Sequence, residues 1–213
     1  MTRIGVLLSG SGTNLQALID ACAEPDFPAE IALVISNKEE AYGLERARMA
    51  NLPAMHIPHR GWGSRSAYED RLSQALREAA VDWVLCAGFM RILSPTFLDA
   101  WPQRVLNIHP ALLPAFPGVD GQGQAMDYGV RIAGATVHFV DSGTDTGPII
   151  AQAAVPVLPG DDRDTLQARI LAMEHALYPM CLRMAAEGRL QVVGRKVTVQ
   201  LQPGESLLLW GHS

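Results

Sequence analysis

The chain of 213 residues lacks any apolar run near the roughly 20 residues that a membrane-spanning helix needs, and lacks any block of like charge. Its net charge of -5, with basic residues scattered along the chain, gives no field that would draw nucleic acid. Cysteine is scarce. Cys22, Cys86 and Cys181 are odd in number, far apart and without a C-x-x-C pair, which argues against a disulfide framework and a zinc site and predicts buried, reduced thiols. No H-E-x-x-H occurs, and His56, His59, His175 and His212 stand at no ligand-like spacing, so no metal is expected. The opening "MTRIGVLLSGSG" does not run basic region, apolar core, cleavage site, and is not read as a secretory signal. With the thiols, this predicts a cytoplasmic protein. There is no repeat, low-complexity tract or linker, so one domain is expected. Hydrophobic residues at 48% and charged residues at 18% suit a folded globular chain.

What is present is a βα alternation. "RIGVLL" (Arg3 to Leu8) is a nearly continuous apolar strand, followed by the turn "SGSGTN" and a helix marked by Leu15, Leu18, Ile19 and Cys22. "EIALVIS" (Glu30 to Ser36), "PAMHIP", "DWVLCAG" and "RVLNIH" read as further strands. Helices are predicted over Tyr42 to Ala50, after a capping box formed by Ser66 and Glu69, and near Pro95 to Ala100. Apolar, non-alternating strands joined by helices predict a parallel sheet covered on both faces. Beyond His109 the pattern changes. A Pro- and Gly-rich stretch holds a weak helix near Gln124 to Tyr128. "ATVHFV" alternates, with Val137 and Phe139 on one face, and suits an antiparallel strand; "PIIAQAAVPV" follows as strand. Asp164 to Glu187 is a long helix with a stripe of Leu166, Ile170, Met173, Leu177, Met180 and Met184, and Pro179 should kink it. "GRLQVVGRKVTVQ" reads as two short strands around a glycine.

Three stretches carry candidate chemistry. "SGSGTNL" (Ser9 to Leu15) places backbone N–H groups at a helix N-terminus, which favours an anion. It is not a Walker loop, since no Gly-Lys-Ser/Thr follows. As a dinucleotide fingerprint it has Gly10 and Gly12 but Leu15 in place of the third glycine. Glu39 and Glu40 after the second strand keep a nicotinamide cofactor open, and a tight turn needing glycine is the plain alternative. A phosphate site with Thr13 and Asn14 as added donors is the reading preferred here. In "NIH", Asn107 and His109 lie two apart at the C-terminal end of a strand, hence on one face, where ligands bind in open α/β sheets. The alternative is that His109 caps the strand and Asn107 satisfies nearby backbone. "DSGTDTGPII" (Asp141 to Ile150) gathers acids, hydroxyls and glycines, as many turns do. His138 is read as structural.

Together and in this order, "SGSGTNLQALIDA", "SNKEEAYGLERA", "AGFMRILSP", "NIHPALLPAFPG", "ATVHFVDSGTDTGPII" and "EHALYP" resemble the phosphoribosylglycinamide formyltransferase family, over nearly the whole chain. The resemblance implies an α/β fold: a Rossmann-like, mostly parallel sheet with helices on both faces, extended by antiparallel strands. It implies a single formyltransferase domain, with a nucleotide-binding half of about 1–109 and a folate-binding half of about 110–213. It implies small-molecule substrates, glycinamide ribonucleotide and 10-formyltetrahydrofolate, with no metal, nucleic acid or membrane, and a monomer or homodimer. Carried over by residue, His109, Asn107 and Asp145 are the catalytic set. Gly12, Thr13, Asn14 and Glu174 face the ribonucleotide; Arg65, Met90, Arg91, Ile92, Leu93, Asn107 and Asp141 face the folate. Where many members carry histidines shortly after "PG", this chain has Asp120 and Gln122.

The implied chemistry suits those residues. The substrate amine is the nucleophile, so no serine or cysteine is needed. Asn107 can donate to the tetrahedral oxyanion, and His109 can donate a second bond and move a proton, with Asp145 orienting the ring. Relatives that act on methionyl-tRNA would carry a basic nucleic-acid-binding domain, and those that hydrolyse formyltetrahydrofolate an extra N-terminal domain; here the first strand begins at residue 3. A nucleotide-sugar formyltransferase is disfavoured by the phosphate loop, and a silent binding module by the intact catalytic set.

Overall fold

The computed structural model describes residues 1–211, so His212 lies outside the described residues. The chain divides into two compact units, Met1–Asn107 and Ile108–Ser213.

The first unit is built from β1 (Thr2–Leu8), α1 (Thr13–Cys22), β2 (Ala29–Ser36), α2 (Tyr42–Met49), β3 (Ala54–His56), α3 (Arg65–Glu78), β4 (Trp83–Cys86), α4 (Pro95–Ala100) and the start of β5 (Val105–His109). Its strands run in the order β3-β2-β1-β4-β5, all parallel, with Val6 level with Val34 on one side and Leu85 on the other. Non-alternating strands of Ile, Val and Leu predict burial on both faces, and Ile4, Val6, Leu7, Leu8, Val34, Ile35, Val84, Leu85 and Leu106 are all buried. In a doubly wound sheet of this order, ligands bind beyond the C-terminal ends of the strands where the winding reverses, here β1 and β4. The Gly-rich loop follows β1, and Met90 to Leu93 follow β4.

The second unit comprises α5 (Gly121–Tyr128), β6 (Ile132–Phe139), β7 (Ile149–Pro156), α6 (Arg163–Ala186), β8 (Leu190–Val193), β9 (Lys196–Val199) and β10 (Leu208–Trp210). The β6–β7 and β8–β9 pairs are antiparallel, while β7 takes β9 and β10 as parallel neighbours. The expected antiparallel extension of a mostly parallel α/β sheet is therefore present. β6 and β7 come very close at Gly134, where a Cβ would overlap the Ala153 carbonyl oxygen. α6 packs on β6 and β7.

Several local expectations need correction. α3 is capped by Ser64, whose hydroxyl accepts from Ala67 N at 3.1 Å; Ser66 lies inside the helix, and Glu69 is turned inward. Ser64 wins because its backbone is still extended, as an N-cap requires. β6 is buried on both faces from Ala133 to Phe139, so the alternation of "ATVHFV" marks no solvent side. The weak helix starts three residues earlier, at Gly121, because Asp120 caps it. The buried face of α6 holds Glu174, Tyr178, Cys181 and Leu182 beside the predicted leucines, while Met173 and Met180 are half-buried. β10 carries no sequence pattern beyond three apolar residues and was not expected.

Candidate active site

In the first unit the loops after β1 and β4 are stitched together by one hydroxyl. Ser9 Oγ donates to Asn37 Oδ1 at 2.6 Å and accepts from Met90 N at 2.9 Å, and Ser9 N donates to Gly88 O at 3.0 Å. Ser9 and Asn37 are buried. Gly12 is the N-cap of α1 in the left-handed region (φ 71, ψ 31), and a Cβ there would stand 2.5 Å from Gly43 Cα. Only glycine meets both demands. No side chain caps this helix and its first turn holds no acid, so its leading N–H groups and dipole end suit an anion. Thr13 is half-buried and Asn14 buried at that end. Arg46 was missed by motif reading: its Nε donates to Ser11 O at 2.9 Å and its Nη1 to Gln16 Oε1 at 3.2 Å, which places a cation against the loop. The signal was available in "GLERAR", one helical turn after the residue that packs on Gly12.

Met90 and Ile92 are 68% and 56% exposed, unusual for apolar side chains in so short a segment, whereas Leu93 is buried and turns into the core. The Arg91 guanidinium lies 5.6 Å from the Tyr68 ring centroid. Burial pushes the Tyr68 phenol up to about 12, with Arg91 opposing and Glu69 adding. Arg65 donates from Nε to Glu69 Oε1 at 3.0 Å and from Nη2 to the Ile92 carbonyl.

The second unit holds the titratable cluster. His109 ends β5, with its side chain 5% exposed; its Nδ1 is 3.4 Å from Asp145 Oδ2 and its Nε2 is 2.9 Å from the Phe116 carbonyl oxygen. Both ring nitrogens thus face oxygen acceptors. A neutral imidazole donates to one of them, the doubly protonated ring to both. Asn107, two residues earlier on the same strand and hence on the same face, is half-buried. Gly118 N donates to the same Asp145 Oδ2 at 2.8 Å. Asp145 itself is left-handed (φ 54), a conformation that costs a non-glycine residue energy and persists where its surroundings demand it.

The turn before β7 supplies that demand. Asp141 Oδ1 accepts from Gly143 N at 3.1 Å and from Thr146 Oγ1 at 2.6 Å, so Asp141, expected at the folate, is first of all the organiser of the turn that presents Asp145. His138 also joins the cluster. Its Nε2 lies 3.7 Å from Asp145 Oδ1 and its Nδ1 donates to the Phe139 carbonyl at 2.7 Å. Its strand position alone could not reveal this, because the partner is seven residues away across a turn. Glu174 is buried on α6. The departure after "PG" has a local explanation: Asp120, also left-handed, caps α5 by accepting from Gly123 N at 3.2 Å and receives Arg163 Nε at 3.0 Å.

Of the predicted positions, Gly12, Thr13, Asn14, Arg65, Met90, Arg91, Ile92, Leu93 and Asn107 belong to the first unit; His109, Asp141, Asp145 and Glu174 belong to the second. Cys86 and Cys181 are buried and Cys22 half-buried; burial pushes the Cys22 and Cys86 thiols up to about 12 and raises Cys181 further, so none is an activated nucleophile. Among the described residues, no group of three or more His, Cys, Asp or Glu is placed to hold a metal ion, and no helix is long and apolar enough to cross a membrane.

Burial lowers the His138 pKa below 6.5, outweighing the Phe139 carbonyl and Asp145, which raise it; His109 lowers it too. The unfolded chain therefore binds a proton at this residue more readily than the folded one. Stability owed to neutral His138 is complete above pH 6.5 and is lost as pH falls through the depressed folded value. The melting temperature of the native chain should drop more steeply below pH 6.5 than that of His138→Gln. Parallel curves in thermal denaturation would show that His138 carries no such linkage.

The geometry can be set beside known proteins. The formyl transferase family model matches residues 2–182. Phosphoribosylglycinamide formyltransferase of Escherichia coli (strain K12) is 46% identical over 190 residues, 89% of this chain and 90% of that protein. The trifunctional purine biosynthetic protein adenosine-3 of Drosophila pseudoobscura pseudoobscura is 51% identical over 90% of this chain, which spans only 14% of that longer protein. The crystal structure of glycinamide ribonucleotide transformylase 1 from Symbiobacterium toebii superimposes with a TM-score of 0.92 at 54% identity, covering 93% of this chain and 94% of that one. By its match to the family model, its similarity to a relative of equal length and its shared fold, the chain belongs to the formyl transferase family.

Proposed function

We propose that the chain transfers the formyl group of 10-formyltetrahydrofolate to the amine of glycinamide ribonucleotide, giving formylglycinamide ribonucleotide and tetrahydrofolate in purine biosynthesis. The observation that carries this reading is the pairing of His109 with Asp145 at 3.4 Å, with Asn107 on the same strand face. In this reading the chain is one cytoplasmic formyltransferase domain, acting as a monomer or homodimer on small molecules and needing neither metal nor nucleic acid.

The amine nitrogen attacks the formyl carbon, forming a C–N bond and placing negative charge on the formyl oxygen. The Asn107 amide and His109 are the donors to that oxyanion. The bond from carbon to the folate N10 then breaks, and the proton lost by the amine ends on N10, with His109 as the group that relays it. Asp145 holds the imidazole in place while its charge changes. For Nε2 to serve a substrate, the ring must exchange its bond to the Phe116 carbonyl for one to the ligand. Gly12, Thr13 and Asn14 take the ribonucleotide phosphate at the start of α1, and Glu174 the other end of that substrate. Remote binding of the phosphate fixes the amine near the carbon it attacks. Arg65, Met90, Arg91, Ile92, Leu93, Asn107 and Asp141 are assigned to the folate; Leu93, being buried, serves through its main chain.

An absorbance assay for folate product, with and without glycinamide ribonucleotide, tests the reading. Product should depend on the acceptor; equal rates without it would identify a hydrolase. Removing an oxyanion donor usually costs about 10²–10³ in turnover, and Asn107→Ala, His109→Ala and Asp145→Ala, the last by releasing the imidazole, should each lose at least about that much. Near-native turnover by His109→Ala would contradict its role.

The two ligands should also separate by mutation. Gly12→Val brings a branched side chain to a left-handed position already in contact with Gly43, and should weaken ribonucleotide binding in calorimetry by about tenfold or more. Folate affinity should stay within about twofold, a change that falls inside ordinary surface effects. A loss confined to folate would mean that the two ligand assignments are reversed.

A further inference from the structure

Glu69 is a carboxylate with 5% of its side chain exposed, in the middle of α3. Burying a carboxylate is costly unless donors surround it. Glu69 receives three: Arg65 Nε at 3.0 Å and Ser94 N at 3.0 Å on Oε1, and the Ser94 hydroxyl on Oε2. These donors come from two places. Arg65 is one turn earlier on the same helix, and Ser94 is the N-cap of α4, where its oxygen accepts from Phe97 N at 3.2 Å. Arg65 also donates to the Ile92 carbonyl. One buried carboxylate therefore fixes both the guanidinium and the main chain from Ile92 to Ser94.

We propose that Glu69 is a positioning residue for the folate: it orients Arg65 and the Ile92–Ser94 segment for the cosubstrate and touches no reacting atom itself. The inference rests on the functional reading above, which assigns Arg65 and Met90 to Leu93 to the folate. A guanidinium has five N–H groups in a planar fork. Glu69 and Ile92 use two of them on the inner side, and Arg65 remains 46% exposed, so a rigid part of the fork is left for an acceptor outside. The glutamate tail of a folate is a carboxylate of the matching shape. A freely rotating arginine would lose rotamer freedom on binding; one already held by a buried acid loses less. The same network holds the backbone on which Ile92, 56% exposed, is displayed. The other end of that segment is anchored independently, through Met90 N on Ser9 Oγ.

The test is steady-state kinetics of the full chain with Glu69→Gln, Arg65→Met and the double variant. Glutamine keeps the shape but removes the charge, and its NH₂ group opposes the Ser94 donors. Glu69→Gln should raise the KM for 10-formyltetrahydrofolate about tenfold, the scale of a lost hydrogen bond to a charged group. The KM for glycinamide ribonucleotide and the kcat at saturation should stay within about twofold. In the Arg65→Met background most of the folate effect should disappear, since the group being positioned is gone. A role confined to capping α4 would instead lower the melting temperature and leave the folate KM unchanged, and that result, or an equal rise in both KM values, overturns the proposal. If Glu69→Gln does not fold, Ser94→Ala replaces it: removing one donor should raise the folate KM about threefold, and no rise would overturn the proposal. A native chain with no acceptor-dependent turnover contradicts the functional reading; an active native chain with an unmoved folate KM contradicts the role of Glu69 alone.

Discussion

The contact between the His109 imidazole and the Asp145 carboxylate is the constraint around which the second unit is arranged. A ring that faces an acceptor with each nitrogen, and a carboxylate placed against it, both require backbone that holds them there. β5 delivers His109 at its C-terminal end. The tight turn organised by Asp141 delivers Asp145, in a left-handed conformation that only a well-supported turn maintains. The segment after β5 closes the arrangement with the Phe116 carbonyl on one ring nitrogen and Gly118 N on the carboxylate. His138 adds a second imidazole on the same carboxylate, its Nε2 3.7 Å from Asp145 Oδ1, with its pKa lowered by burial.

The first unit solves a different problem, that of presenting polar groups from a sheet buried on both faces. Its polar positions gather past the ends of β1 and β4, where the winding reverses. Ser9 ties the two loops there through one hydroxyl, and Glu69 secures the far end of the second loop. Ser9, Asn37 and Glu69 are buried, hydrogen-bonded polar groups. Such groups are weak contributors to net stability but strong determinants of local geometry, because any other arrangement leaves a donor or acceptor unpaired.

How much of this was legible in the sequence follows from the range of each signal. The parallel sheet was legible, because runs such as "RIGVLL" and "DWVLCAG" carry burial on both faces within six or seven residues. The face shared by Asn107 and His109 was legible from strand period alone. The N-cap of α3 was misplaced because Ser64 and Ser66 have similar capping chemistry, and only the backbone conformation at Ser64 decides between them. With the cap misassigned, Glu69 looked like a partner of Ser66, when it takes Arg65 on its own helix and Ser94, 25 residues away. His138 was read as structural for the same reason: a histidine in an apolar strand gives no hint of a carboxylate beyond the next turn. Asp120 looked like a loss of histidine chemistry. Its cap on α5 and its pairing with Arg163, 43 residues later, show what it does here.

The central claim is that Asp145 acts through His109 and not on its own. A double-mutant cycle measures this directly, with turnover of the native chain, His109→Ala, Asp145→Asn and the double variant compared at saturating substrates. If the carboxylate works by holding the imidazole, the double variant should be no slower than His109→Ala alone, because the ring that Asp145 serves is already absent. Losses that multiply, so that removing Asp145 costs as much without His109 as with it, would contradict the account and give the carboxylate an independent role.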